Sequence, residues 1–250
     1  MLYNFTAGPS ALLLGKWMQK SFHELDPKNY PLSVCERESD NGFYIVRERG
    51  GGWHRVGFYL THYNDELYSK TPSLHIDFCD NVLAIKDRMR ATNTHLVTYK
   101  SRDSLREYKN VPLNICYKCL KLFKEKISIN NHGMTFNDFI LTMEENDQYR
   151  CTQTDENGYT LNFSQISKCY RETKNYTCEK CGYKPNDSSF YHYMHTHHIK
   201  GNEKTNNKRS NLLCLCIQCH ASVDEYHTKM FSSPDKTILL KQFIACKASQ

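Results

Sequence analysis

Glycine and proline are scarce, 11 and 7 in 250 residues, which excludes a collagen-like or low-complexity chain. Long apolar runs are missing as well. The longest near the start is Ala11-Leu12-Leu13-Leu14, far short of the roughly 20 residues that cross a bilayer. It has no basic flank and no small-residue cleavage pattern, so no secretory signal is expected and the expected compartment is a reducing cytoplasm. Charge of one sign does not dominate: 33 Lys+Arg against 27 Asp+Glu leave +6, with a mean hydropathy of −0.69. Cysteine, by contrast, is plentiful at 12, yet below the density of a disulfide-stapled mini-domain. Clustered thiols in a reducing compartment point to metal.

Charge and thiols are unevenly placed. Residues 171–250 hold 12 Lys/Arg against 7 Asp/Glu, a balance of +5, while residues 1–170 hold 21 against 20. The same last third carries six of the 12 Cys and six of the 12 His. A small basic module therefore follows a larger, nearly neutral one. Local positive excess attracts polyanions through counterion release, which makes nucleic acid the leading partner class. A solvated surface with a modest surplus is the equal alternative on charge alone.

An α+β chain is expected. Residues 43–46 and 56–60 are aromatic and β-branched runs around Arg49-Gly50-Gly51-Gly52, the pattern of a hairpin with a glycine-rich turn. No Gly-Lys-Ser/Thr follows, so this is not a phosphate-binding loop. Residues 80–90 carry Val82, Leu83, Ile85 and Met89, a short helix; 94–99 reads as a strand. Cys116-x-x-Cys119 precedes Leu120, Leu122 and Phe123, as though two thiols open a helix. Residues 135–143 form a helix pattern with Thr135 or Asn137 as cap, and 159–170 another, with Leu161, Ile166 and Tyr170 on one face. The expected division is an N-terminal mixed α/β domain over 1–130, a helical linker over 131–170 and a C-terminal module over 171–250.

The chemistry begins at Tyr176. Cys178-x-x-Cys181 is followed by His195-Thr196-His197-His198-Ile199, then Asn211-Leu212-Leu213, then Cys216-x-x-Cys219-His220, with 34 residues between the inner cysteines. Two such pairs can gather four thiolates around tetrahedral zinc, clipping the intervening segment at both ends. A zinc module that only folds and binds explains the thiols but not the histidines and asparagine held between them. His197 and His198, adjacent on a strand, face opposite sides.

These elements resemble the HNH endonuclease family, in the branch whose ββα-metal motif is braced by a four-cysteine zinc site, over residues 171–230. The resemblance implies that His198 is the general base, His197 and His220 ligands of a catalytic divalent ion, Asn211 the residue that pins the loop and orients the base, and Cys178, Cys181, Cys216 and Cys219 the structural zinc ligands. The chemistry agrees: an imidazole with pKa about 6.5 can take a proton from water, and a divalent ion stabilises charge on a phosphoryl oxygen. Mg²⁺ prefers oxygen donors, so a site built on imidazoles should also take Mn²⁺.

Other residues are weighed beside these. Asp224 and His227 share a helical face with His220 and could add a ligand, but a solvated face or a satisfied hydrogen bond is the favoured reading. His192 and His195 read as ordinary strand residues. Lys200, Lys204, Lys208 and Arg209 occupy the loop before Asn211, where phosphate contact and a flexible solvated loop weigh equally. Upstream, His75-x3-Cys79 and Cys116-x-x-Cys119, with 36 residues between Cys79 and Cys116, have the composition of a second zinc site. Buried free thiols are the alternative, and Cys35 the substitute ligand. Cys151, Cys169, Cys214 and Cys246 have no evident partners. Arg47, Arg49, Trp53 and Arg55 mix cations and an aromatic as a groove-reading hairpin would; a hairpin covering a core is equally expected.

The functional expectation is a metal-dependent nuclease acting on DNA, restriction-type or phage-defence, carrying one or two structural Zn²⁺ ions and a catalytic Mg²⁺ or Mn²⁺. A homodimer or sequential nicking would cut both strands. Mobile-element endonucleases share the motif. The alternatives are a catalytically silent zinc protein that binds nucleic acid, and a nuclease acting as a toxin or on RNA.

Overall fold

The computed structural model describes residues 30–38, 43–48, 51–65, 71–77, 79–83, 85, 88–127 and 134–248. Arg49 and Gly50 of the expected hairpin turn lie outside them. In chain order the elements are β1 (Tyr30–Pro31), β2 (Glu36–Arg37), β3 (Tyr44–Arg47), β4 (Trp53–Arg55), β5 (Gly57–Leu60), β6 (His62–Tyr63), α1 (Asp80–Leu83), β7 (Met89–Thr92), β8 (Leu96–Ser101) and β9 (Glu107–Pro112). There follow α2 (Tyr117–Ile127), α3 (Phe136–Glu145), α4 (Phe163–Thr173), β10 (Met194–His198), β11 (Leu212–Cys216), α5 (Ile217–Ala221), α6 (Glu225–Phe231) and α7 (Pro234–Ala248). The chain is thus mixed α+β, built on small sheets. None of the described helices is long and apolar enough to cross a membrane.

The N-terminal strands form three sheets, ordered β1-β7-β5, β2-β3-β4 and β6-β8-β9. β3 and β4 pair antiparallel, Ile45 opposite Arg55 and Arg47 opposite Trp53, and the turn between them puts Gly51 at φ +91°, a conformation that glycine adopts without a Cβ penalty. The chain then leaves this sheet: Gly57–Leu60 pairs with β7 instead. That pairing also shortens the helix expected over residues 80–90. α1 ends at Leu83, and Met89 sits opposite Leu60 in a strand, because ladder hydrogen bonds and burial of Met89 outweigh a helical spacing of apolar residues. Trp53 and Arg55 are buried, so on these two residues the hairpin covers a core and does not read a groove. Arg47 is exposed and paired with Glu36 at 2.8 Å.

α3 starts on a capping box. Thr135 Oγ1 accepts from the Asp138 amide at 3.1 Å, and Asp138 Oδ2 accepts from the Thr135 amide at 3.2 Å, satisfying two amide donors at the helix entrance. Its Phe136, Phe139, Ile140 and Met143 are fully buried. α4 buries Ile166, Cys169 and Tyr170, whereas Leu161 precedes the helix and packs on Ile45, Trp53 and Cys151. The larger apolar cluster among the described residues runs from Phe43 to Phe243.

α4 is the plate on which the C-terminal hairpin rests. On one side the Gln165 amide exchanges two hydrogen bonds with the backbone of Arg55, at 2.9 and 2.7 Å. On the other, Ser167 Oγ bonds Thr196 Oγ1 at 2.9 Å, Arg171 donates to the Met194 carbonyl at 2.9 Å and Tyr170 to the Leu212 carbonyl at 2.7 Å. β10 and β11 pair antiparallel with His195 opposite Leu215, His197 opposite Leu213 and His198 opposite Leu212.

Candidate metal centres

Local backbone builds the first cluster. The Gly182 amide donates to the Cys178 carbonyl and the Cys178 amide to the Tyr183 carbonyl, both at 2.8 Å, and Gly182 turns the knuckle at φ +71°. Glu179 fastens that knuckle to β11: it accepts from the Cys214 amide at 2.7 Å while its own amide donates to the Cys214 carbonyl at 2.8 Å. Cys216 ends β11, and Cys219 follows one turn into α5. The four sulfurs of Cys178, Cys181, Cys216 and Cys219 lie within 4.8 Å of one another, with Cys181 to Cys216 at 3.8 Å. The edge of a zinc–thiolate tetrahedron with bonds of ~2.3 Å is ~3.8 Å, so this cluster could hold zinc. Thiols so close share protons: a hydrogen bond from Cys216 pulls Cys178 down to about 4, while that bond and burial push Cys216 up. A bound cation replaces those shared protons.

The second cluster is assembled by three segments side by side. Phe58 and His75 exchange backbone hydrogen bonds at 2.7 and 2.8 Å, and Leu74 bridges 114–116, with the Cys116 amide on the Leu74 carbonyl at 2.8 Å. His75, Cys79, Cys116 and Cys119 then meet within 4.8 Å. His75 Nδ1 is 3.4 Å from Cys79 Sγ and 3.7 Å from Cys119 Sγ, close to the ~3.5 Å nitrogen–sulfur edge of a mixed zinc site. Cys116 is pulled down to about 2 by a hydrogen bond from Cys119, which is itself pushed up. This cluster too could hold zinc, and Cys35 is not part of it.

The third gathering is of imidazoles. His197, His220 and His227 bring ligand atoms within 4.8 Å, with ring centroids 5.2, 4.9 and 4.8 Å apart pairwise. His197 comes from β10, His220 from the residue after Cys219 in α5, and His227 from α6. His227 is therefore not on a solvated helical face, although it does make the hydrogen bond with Asp224 that is the other expectation. α5 stops at Ala221, and Asp224 starts a separate helix by accepting from the His227 amide at 2.8 Å, which swings the His227 ring inward. Burial lowers His197, and burial with the neighbouring histidines pushes His220 down to about 2. Neutral imidazoles are the form that binds a metal.

His195 likewise departs from the expectation of an ordinary strand residue. Two positions before His197, it shares that residue's face, and its Nδ1 is 3.0 Å from His220 Nδ1. The two-residue alternation of a strand was the signal in the sequence.

His198 points to the other face of β10. It is buried, stacked on Phe163 of α4 at 4.9 Å, and its Nε2 is 3.0 Å from Asn207 Oδ1. A carboxamide oxygen only accepts, so the proton sits on Nε2 and Nδ1 keeps its lone pair. Asn207 in turn donates to Thr160 Oγ1 at 2.8 Å. Asn211 binds the loop rather than this ring: its Oδ1 accepts from the Lys200 amide at 2.9 Å and its Nδ2 donates to the Asn206 carbonyl at 2.9 Å. The loop cations are engaged within the fold. Lys200 pairs with Glu203, Lys208 with Asp147 and Arg209 with Glu145 at 3.1, 3.2 and 3.6 Å. Lys204 donates to the Asn157 carbonyl at 3.0 Å and lies over Tyr159.

The chain is similar to Zorya protein ZorE of Escherichia coli (strain ATCC 8739), 30% identical over 166 residues, which cover 60% of this chain and 44% of that protein. The chain thus spans less than half the length of that relative. No protein-family model matches the chain, and no solved structure matches it.

Proposed function

We propose that this chain is a metal-dependent endonuclease of the HNH, ββα-metal kind, hydrolysing DNA phosphodiester bonds. The observation that carries the reading is the convergence of His197, His220 and His227 on a hairpin and helix held by the four-cysteine cluster. Three imidazoles suit a divalent ion with a remaining position open; bound there, such an ion supplies charge stabilisation to the phosphoryl oxygens and the departing oxygen. His198, neutral through burial, receives the proton of the attacking water at its unprotonated Nδ1, with Asn207 holding the ring. Asn211 keeps the loop from 199 to 206 closed against the strand ends. Zinc at the two cysteine-rich clusters fixes the fold.

The biological setting we infer is restriction or phage defence, supported by the likeness to the Zorya protein; the N-terminal region would then choose the target. A second reading, a zinc protein that binds nucleic acid without cutting it, is favoured by one observation: His198 is only 5% exposed and packed against Phe163.

Plasmid DNA incubated with the purified protein and Mn²⁺ separates the two. Nicking by the wild type, with a loss of about 10²–10⁴ in rate for His198→Ala and comparable loss for His220→Ala, supports the endonuclease. Binding without cleavage by the wild type supports the second reading, and equal nicking by His198→Ala removes that residue as the base. An RNA substrate in parallel decides between the nucleic acids.

A further inference from the structure

Two of the three clustered imidazoles are held from behind. His227 Nδ1 lies 2.8 and 2.9 Å from the two carboxylate oxygens of Asp224. A carboxylate ion accepts only, so the proton is on Nδ1 and the lone pair on Nε2. His220 Nδ1 faces His195 Nδ1 at 3.0 Å, which turns its Nε2 away from His195. Two nitrogens at that distance share one proton, and a ring that ligates through Nε2 carries its own proton on Nδ1. His195 must then accept at Nδ1 and be protonated on Nε2.

We infer that His195 and Asp224 are positioning residues that set His220 and His227 in the tautomer presenting Nε2 to a divalent cation. The inference rests on reading the three imidazoles as a metal centre, as proposed above. Partners on the far nitrogen orient a ligand ring and raise its basicity, and losing one costs about 10–100-fold in metal affinity. The two outer partners differ in kind. Asp224 brings a negative charge, whereas His195, accepting at Nδ1 from the His220 ring, is an uncharged imidazole. The centre therefore gains one anionic and one neutral outer partner. His195 acts on the ligand next to the zinc knuckle, so the outer shell and the four-cysteine cluster both bear on His220.

The test uses the full-length, zinc-loaded protein with labelled histidine nitrogens. Nitrogen shifts of His220 before any further metal is added should report a proton on Nδ1; a proton on Nε2 overturns the inference. Co²⁺ titration, followed by its visible absorption, should then show His195→Leu weakened about 10–100-fold. His195→Asn, whose side-chain oxygen sits where Nδ1 was and can still accept, should stay within about threefold of the wild type. Equal affinity for His195→Leu and the wild type overturns the inference, as does an equal loss in both variants. Sulfur-to-cobalt absorption identifies any exchange into the cysteine clusters. If His195→Leu fails to fold, the wild-type nitrogen shifts decide alone. If the wild type takes up Co²⁺ only at sulfur, the metal-centre reading fails and this inference with it, whereas Co²⁺ bound at nitrogen with the His220 proton on Nε2 overturns this inference alone.

Discussion

Arg55 is a severe test of how the N-terminal sheet is joined to the helices that carry the hairpin. Its side chain is 2% exposed and that of Glu144 on α3 is 1%. The guanidinium meets Glu144 Oε1 at 3.3 Å, the Tyr149 carbonyl at 2.7 Å and Glu38 at 3.3 and 3.4 Å, and lies over Trp53 at 5.0 Å. Burial pushes Glu144 up against the opposing pull of Arg55 and Asn162. Arg55→Met keeps much of the volume but leaves a buried carboxylate without its cation, a loss of about 3–5 kcal/mol. At ~2–4 °C per kcal/mol for a chain of this size, the melting temperature should fall by about 10 °C. The sign with pH follows from Glu144. Without Arg55 its folded pKa rises further above the unfolded value of about 4.3, so the folded state takes up a proton that the unfolded state does not. The deficit of Arg55→Met should therefore narrow as pH falls from 7.5 toward 5. Arg55→Met/Glu144→Gln removes the stranded charge, leaves Asn162 a partner on Oε1, and should regain at least half the loss with a flat pH dependence. Denaturant melts of the three proteins at several pH values provide the check. A deficit below about 1 kcal/mol, or one that does not vary with pH, would refute a buried pair and make Arg55 free to serve elsewhere.

Metal analysis should find about two Zn per chain, falling to about one in Cys119→Ser and separately in Cys216→Ser; one Zn in the wild type would mean the upstream thiols are merely buried. With three nitrogen donors at the third centre, Mn²⁺ should support cleavage at least ~10-fold faster than Mg²⁺ at equal concentration, and faster cleavage in Mg²⁺ would argue for oxygen ligands. Asn207→Ala should lower kcat by about 10-fold or more through loss of the fixed His198 tautomer, while the zinc content stays unchanged; an unaltered kcat separates Asn207 from the chemistry. Gly57→Ala places a Cβ 2.8 Å from the side chain of buried Leu74, next to His75 of the upstream cysteine–histidine cluster. Thermal melts should show a loss of about 1–3 kcal/mol from overpacking, and a neutral change would mean Leu74 can move aside.

Much of this protein is legible in its sequence wherever a few consecutive residues set the geometry. Cys-x-x-Cys spacing brings two thiols to one turn, on a knuckle at 178–181 and at helix starts at 116–119 and 216–219, the Thr135/Asp138 box declares a helix start, and the four-residue sets at 178–219 and 75–119 stand out by composition and spacing. The tertiary structure decided what depends on distant partners. Met89 joined a strand because β5 offered its backbone. Arg55 turned inward because Glu144, Glu38 and the Tyr149 carbonyl awaited it, and Trp53 because Ile45, Cys151 and Leu161 pack with it. His227 entered the metal cluster because Asp224 begins a new helix instead of prolonging α5. Asn207, nine residues from His198, took hold of that ring because the loop folds back beside α4. Residue type and spacing dictate which groups are available for chemistry; which of them share a face, and which nitrogen of an imidazole stays free, is settled by hydrogen bonds made across long stretches of chain.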